Sequence, residues 1–181
     1  GRKTMFEREF QQNPVNPEAN EWEPECFEDF IWTAGNIPSS ELRSVGCDPS
    51  KGKDAGRGDY SAIVGVAVTN PLIYVRSDLA RRDPAKFVLD LFAFCEDFQP
   101  HYVSLEVNQF QELFVSLIKQ HAAAFPGMYL SRQLVMGDPI ITMDNRLKKQ
   151  VRIRRLSQYV TRRQLRFERS TSNALLVDQL R

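Results

Sequence analysis

The sequence predicts an α/β domain, a mixed sheet of about five or more strands flanked by helices, and three observations lead there. Three runs rich in β-forming residues, Leu42 to Asp48, Tyr60 to Thr69 and Leu72 to Arg76, follow one another with turn chemistry between them. A segment with apolar residues at helical spacing comes next, and then another β-rich run, Tyr102 to Val107. The composition of the 181 residues, 42% hydrophobic and 26% charged, suits one ordinary domain and excludes a disordered or collagen-like chain. A chain of this length buries roughly 70% of its unfolded surface, so it needs neither a disulfide framework nor a structural metal.

Residues 1–40 read as an irregular, acidic arm ahead of the domain at 41–181, because Pro14, Pro17, Pro24 and Pro38 punctuate it. The arm still carries Phe6, Phe10, Trp22, Phe27, Phe30 and Trp32, which predicts packing through aromatic anchors, and only the segment before Pro14 has room for a short helix. The three β-rich runs then form an antiparallel meander, with the Gly-, Lys- and Asp-rich stretch 49–58 after the first and Asn70-Pro71 turning the chain into the third. Asp83-Pro84 has the form of a helix start, an N-cap followed by Pro in the first turn, and Phe87, Val88, Leu91, Cys95 and Phe98 continue on one face until Pro100. The strand Tyr102 to Val107 should pair parallel after this crossover, and a second helix follows with Phe110, Leu113, Phe114, Leu117, Ile118 and His121 on one side. Beyond Pro126-Gly127 the expected order is a strand near Met128 to Leu130, a turn at 137–139, a helix over 146–156, an extended piece at Leu165 to Phe167 and a last helix, Asn173 to Leu180.

Charge is balanced overall, 24 Lys+Arg against 23 Asp+Glu, but not along the chain. Residues 1–44 hold four basic and nine acidic side chains, whereas 144–181 hold eleven basic and three acidic. A basic C-terminal third is a candidate surface for a polyanion, since phosphate contacts supply most non-specific nucleic-acid affinity; a solvated helix face is the other reading. Cys26, Cys47 and Cys95 lie in no metal-ligand or redox spacing, which suits a reducing cytoplasm. No apolar run approaches the ~20 residues that span a bilayer and no signal peptide is evident, so no membrane partner is expected.

Asp48 ends the first strand and Glu106 stands near the end of the strand after the first helix, positions that line the ligand crevice of an α/β sheet. Two carboxylates there suggest a site for a hard divalent cation such as magnesium, which takes oxygen ligands and keeps several waters. Paired ions roughly 3.5–4 Å apart would stabilise the attacking and leaving oxygens of a phosphodiester cleavage. A turn cap for Asp48 and a salt bridge for Glu106 are the alternative roles. Asp59, directly before the second strand, is a third candidate acid, or an Asx-turn residue. Gly52, Gly56 and Gly58 are not followed by Gly-Lys-Ser/Thr, so this loop is no P-loop. His121 reads as a core or rim residue and the phenylalanines as core, while His101 precedes the Glu106 strand at its far end, so no nucleophilic triad is supported, nor a reactive thiol.

In this order the residues resemble the C-terminal nuclease domain of the large terminase subunit of tailed bacteriophages. The resemblance rests on Phe6 to Pro14, on Val45-Gly46-Cys47-Asp48-Pro49 with Gly58-Asp59-Tyr60-Ser61-Ala62-Ile63, and on Val103-Ser104-Leu105-Glu106-Val107-Asn108. It continues through Lys149, Arg152-Ile153, Leu156, Leu165 to Phe167 and Leu176 to Leu180. It implies a ribonuclease H-like fold and an endonuclease that cuts concatemeric viral DNA during genome packaging, using two Mg2+ or Mn2+ ions. Asp48 and Glu106 match the first and second metal-binding acids and Asp59 a frequent additional one. Lys149, Arg152, Arg154, Arg155, Arg162 and Arg163 become a double-stranded DNA surface with little sequence preference.

The family further implies an ATPase motor domain N-terminal in the same chain, portal and small terminase subunit as partners, and action in the cytoplasm of the bacterial host rather than in the mature virion. Its last acidic motif is expected beyond Arg181, where this sequence stops; Asp178 precedes that position. Another ribonuclease H-like nuclease, a resolvase or transposase core, and a non-catalytic DNA-binding packaging module are the alternatives.

Overall fold

The computed structural model describes residues 22–33, 35–49, 60–106, 111–137, 139–143, 151 and 154–180. Among these, seven strands form one mixed sheet flanked by helices, the α/β architecture expected from the sequence. The strands are β1 (Trp32–Thr33), β2 (Leu42–Asp48), β3 (Ser61–Thr69), β4 (Leu72–Ala80), β5 (Tyr102–Glu106), β6 (Ile140–Met143) and β7 (Leu165–Glu168), in spatial order β1-β7-β4-β3-β2-β5-β6. β2, β3 and β4 are the expected antiparallel meander, while β5 pairs parallel with β2, β6 with β5, β7 with β4 and β1 with β7.

Side chains alternate across each strand, so the sheet has two covered faces. On one face Val45, Cys47, Ile63, Ala67, Val103 and Leu105 pack beneath α1 (Pro84–Phe98), α2 (Gln111–Ala124) and α3 (Tyr129–Met136). The aromatic and aliphatic side chains Phe87, Leu91, Phe92, Phe98, Phe114 and Ile118 complete that core. Gly65 lets α1 come this close, since a Cβ there would lie 2.8 Å from the Phe98 ring. The second core lies on the opposite face, where Val75, Leu165 and Phe167 meet α4 (Ser157–Thr161), α5 (Thr171–Leu180) and the end of the arm. Trp22, Phe27 and Ile31 are buried in it, and the Trp22 indole donates to Ser157 Oγ at 3.0 Å. The part of the arm before Trp22 lies outside the described residues.

Local signals set the ends of α1. Asp83 Oδ1 accepts from the Lys86 N–H at 2.8 Å, and Gln99 closes the helix in the left-handed region at φ 50°. α5 is held from inside by Asn173, which is fully buried: its Oδ1 accepts from Ser77 Oγ and its Nδ2 donates to the Val75 and Glu168 carbonyls.

The sequence expectations need five corrections. The segment at Met128 to Leu130 opens helix α3 instead of a strand: the Tyr129 N–H donates to the Glu96 carboxylate of α1 at 2.7 Å, a cap supplied from far along the chain, and Leu130 is buried against the helices. β6 was not expected, because four residues after a turn carry no usable periodicity until β5 offers an edge. β4 runs on to Ala80, since β3 pairs with it over its full length, and β5 takes β2 rather than the preceding strand as its parallel partner. Leu113, expected on the apolar side of α2, is 46% exposed, because the buried stripe is narrower and runs through Phe114 and Ile118. The helix expected over 146–156 falls mostly outside the described residues.

Arg82, between β4 and α1, is buried with ion pairs to Asp78 and Asp90, and Lys86 also binds Asp90. Partial burial pushes the Asp90 carboxyl up, but hydrogen bonds from Lys86 and Arg82 outweigh it and hold the group below its ordinary value. Its contribution to stability is therefore complete above an unfolded value of about 3.9 and is lost as pH falls through the lower folded value. In urea titrations the stability gap between the unsubstituted protein and Asp90→Asn should be widest near neutrality and close below about pH 4. A gap unchanged from pH 7 to pH 2 would contradict this ion-pair account.

Candidate active site

β2 and β5 run side by side in the same direction, with Val45 paired to Val103 and Cys47 to Leu105. One step further along both strands come Asp48 and Glu106, so the two acids stand next to each other at the carboxyl ends of the strands. Alternation turns them away from the α1–α3 core that holds Cys47 and Leu105. Both line one open cleft of about 240 Å³, with Gly46, Ala62, Ser104 and Met143 among its walls. Asp48 is exposed and Glu106 half-buried.

The floor of the cleft is made of small residues. Gly46 and Ser104 are register partners, and the Ser104 hydroxyl donates to the Val45 carbonyl at 3.2 Å. A Cβ on Gly46 would sit 3.6 Å from Ser104 Oγ, ordinary contact distance. Met143 of β6, the register partner of Glu106, forms the outer wall.

The donor chemistry fits a hard divalent cation: two carboxylates from adjacent strands facing an open cleft, with room for water at the remaining positions. Among the described residues no three His, Cys, Asp or Glu side chains gather at a possible metal position. Thiol chemistry does not fit. Burial pushes the Cys47 thiol well above its ordinary value, with Cys95 and Asp48 adding to the rise and Arg82 opposing it. Cys95 is likewise pushed up to about 12, mainly by burial.

Of the candidate site residues, the structure brings Asp48 and Glu106 together. Asp59, Lys149 and Arg152 lie outside the described residues. Arg154, Arg155, Arg162 and Arg163 are exposed, and none lines the acid cleft. Arg163 stacks over the Phe30 ring at 5.0 Å, in a groove shared with Glu25, Glu28 and Asp29. His101 Nδ1 accepts from the Arg43 N–H at 3.0 Å, and His121 packs between Phe92 and Phe125, both outside the cleft. Gly46 and Ser104 were missed as cleft residues, although each lies two positions before an acid on the same strand and so shares its face. Met143 could not be found without β6.

No protein-family model matches the chain, and no curated protein matches it. Several solved structures are similar to it, among them the following. The large terminase nuclease from thermophilic phage G20c aligns over 77% of this chain and 63% of its own, at 16% identity and a TM-score of 0.48. RuvC of T. thermophilus in complex with Holliday junction substrate aligns over 58% of this chain and 64% of its own, at 15% identity and a TM-score of 0.35. The Fowlpox virus resolvase, in complex with substrate Holliday junction DNA, aligns over 67% of this chain and 80% of its own, at 13% identity and a TM-score of 0.39. The chain thus spans less than two thirds of the first two.

Proposed function

We propose that this chain is a ribonuclease H-like, metal-dependent DNA endonuclease domain of the phage terminase large-subunit kind, cutting concatemeric viral DNA during packaging by a two-metal-ion mechanism. The observation that carries the reading is the pairing of Asp48 with Glu106 at the carboxyl ends of adjacent parallel strands, in one open cleft. On this reading residues 41–181 are the nuclease body and 1–40 the arm towards an N-terminal ATPase motor, with portal and small terminase subunit as further partners. The domain works on double-stranded DNA in the bacterial host cytoplasm.

Asp48 and Glu106 would hold Mg2+ or Mn2+ through carboxylate oxygens, with Asp59 as an additional acid. Bound divalent ions polarise a phosphoryl oxygen and lower the pKa of water, which is the chemistry that phosphodiester hydrolysis needs. The small residues at Gly46, Ala62 and Ser104 leave the cleft floor open to a phosphate of the backbone. Lys149, Arg152, Arg154, Arg155, Arg162 and Arg163 would position the duplex by its phosphates without reading bases.

The test is cleavage of supercoiled plasmid in Mg2+, Mn2+ or EDTA, with linear duplex and four-way junction substrates alongside. Nicking and linearisation in Mn2+, abolished by EDTA and without junction preference, is the expected result. Strong preference for four-way junctions would transfer the assignment to a resolvase. DNA binding with no cleavage in any metal would leave a packaging module whose acids are structural.

A further inference from the structure

Arg82 is a buried cation that this chemistry does not use. Its side chain is 3% exposed, and burying a guanidinium is costly unless every donor finds a partner. Here all five do. Nε donates to Ser61 Oγ at 2.9 Å, one terminal nitrogen donates to Asp78 Oδ2 and Asp90 Oδ2, and the other to the Asp78 carbonyl and Asp78 Oδ1. The planar fork thus ties the first residue of β3 to the end of β4 and to α1. Ser61 Oγ in turn donates to the Ala80 carbonyl at 2.9 Å, closing the last pair of the β3–β4 ladder.

The place of this clamp gives it a function. Ala62, the residue after Ser61, is the register partner of Asp48 and lines the acid cleft. At the other end of β3, Asn70-Pro71 turns directly into β4 and sets the register there. Between Asp48 and Ser61, however, residues 49–60 intervene, so no two-residue turn fixes how the two strand ends meet. On the β3 side of this junction Arg82 joins Ser61 to Asp78 of β4 and Asp90 of α1. The guanidinium is near enough for its charge to act on the Cys47 thiol, the neighbour of Asp48.

We propose that Arg82 is a positioning residue for the acid cleft, which through Ser61 fixes the end of β3 and so the alignment of Asp48 towards Glu106. This rests on the reading of that cleft as a metal site. A buried ion-pair network is weak evidence for stability in itself, since apolar packing often does as well; what it supplies is one defined geometry.

Arg82→Ala would remove five hydrogen bonds at once and can simply unfold, so the test uses Ser61→Ala, which removes the side-chain hydrogen bond from Arg82 to β3. Ser61→Thr keeps the hydroxyl, and Glu168→Gln weakens the unrelated Arg76–Glu168 ion pair as a stability control. Each protein is titrated calorimetrically with Mn2+ alone and assayed for the Mn2+ concentration giving half-maximal plasmid cleavage. Loss of a group bonded directly to a metal ligand weakens affinity about 10–100-fold, and Ser61→Ala, which acts on Asp48 through the strand pairing, should shift both readouts by about the lower figure. Ser61→Thr should restore them, and Glu168→Gln should lower the melting temperature without moving either. If the unsubstituted protein binds Mn2+ and Ser61→Ala binds it equally well while melting lower, Arg82 is structural and the proposal falls alone. If the unsubstituted protein binds no Mn2+, the metal-site reading falls and takes the proposal with it.

Discussion

Asp48→Asn is expected to cut DNA about a hundredfold more slowly than the unsubstituted protein in saturating Mn2+ while still folding, and Glu106→Gln should match it. The magnitude follows from the role. A metal carboxylate supports charge stabilisation worth several kcal/mol in the transition state, and about 3 kcal/mol is two factors of ten in rate. Both substitutions keep the size and shape of the side chain, and the backbone pairing of Asp48 with Ala62 does not involve the carboxylate, so the sheet should still form. Initial rates of plasmid nicking together with thermal melts followed by circular dichroism test both halves. Variants that cut as fast as the parent would remove the acid pair from the mechanism.

The second large effect is on stability. Asn173→Ala should destabilise the domain by about 3–5 kcal/mol, because three groups, two of them in buried hydrogen bonds and one in a part-buried one, lose a partner at once, each at about 1–3 kcal/mol when left unsatisfied. These are the Ser77 hydroxyl and the Val75 and Glu168 carbonyls, which Asn173 joins from the first turn of α5 to β4 and β7. Asn173→Asp is the sharper experiment. It keeps an acceptor for Ser77 but turns a carboxylate towards two carbonyl oxygens, so its folded pKa must rise. The stability retained in the protonated form is then present below the unfolded carboxylate value and lost as pH rises through the folded one. Denaturant titration should show Asn173→Asp losing least, relative to the parent, at low pH. An equal loss at pH 4 and pH 8 would show that the site is wet and that the bonds contribute little.

Much of the fold is legible because its signals are local. Asp83-Pro84 states a helix start within two residues, and the capping bond from the Lys86 N–H appears as expected. β2 spans Leu42–Asp48, as its β-rich run indicated. Asp48 and Glu106 were visible for the same reason: each is a carboxylate at the carboxyl end of a strand, a position that can be read without knowing which strands are neighbours. The α3 segment was misread because its cap, Glu96, lies on another helix, beyond any window of sequence that a capping rule inspects. Arg82 was passed over for a related reason, since beside Arg81 and before Asp83 it looks like one more exposed charge, and only the closure of β4 onto α1 buries it.

By itself, then, the sequence determined where most strands and helices begin and end, which face of each is apolar, and which acids stand at strand ends, because all of these follow from interactions within a few residues. Tertiary structure alone decided that β5 lies against β2 and not β4, that β6 forms on the outer edge of β5, and that Gly46, Ser104 and Met143 share a cleft with the acids. Each of those outcomes depends on a hydrogen-bonded edge or an apolar face presented by a segment distant in the chain. Such a partner exists only once the sheet has assembled, when burial of both faces selects one register and fixes Asp48 beside Glu106.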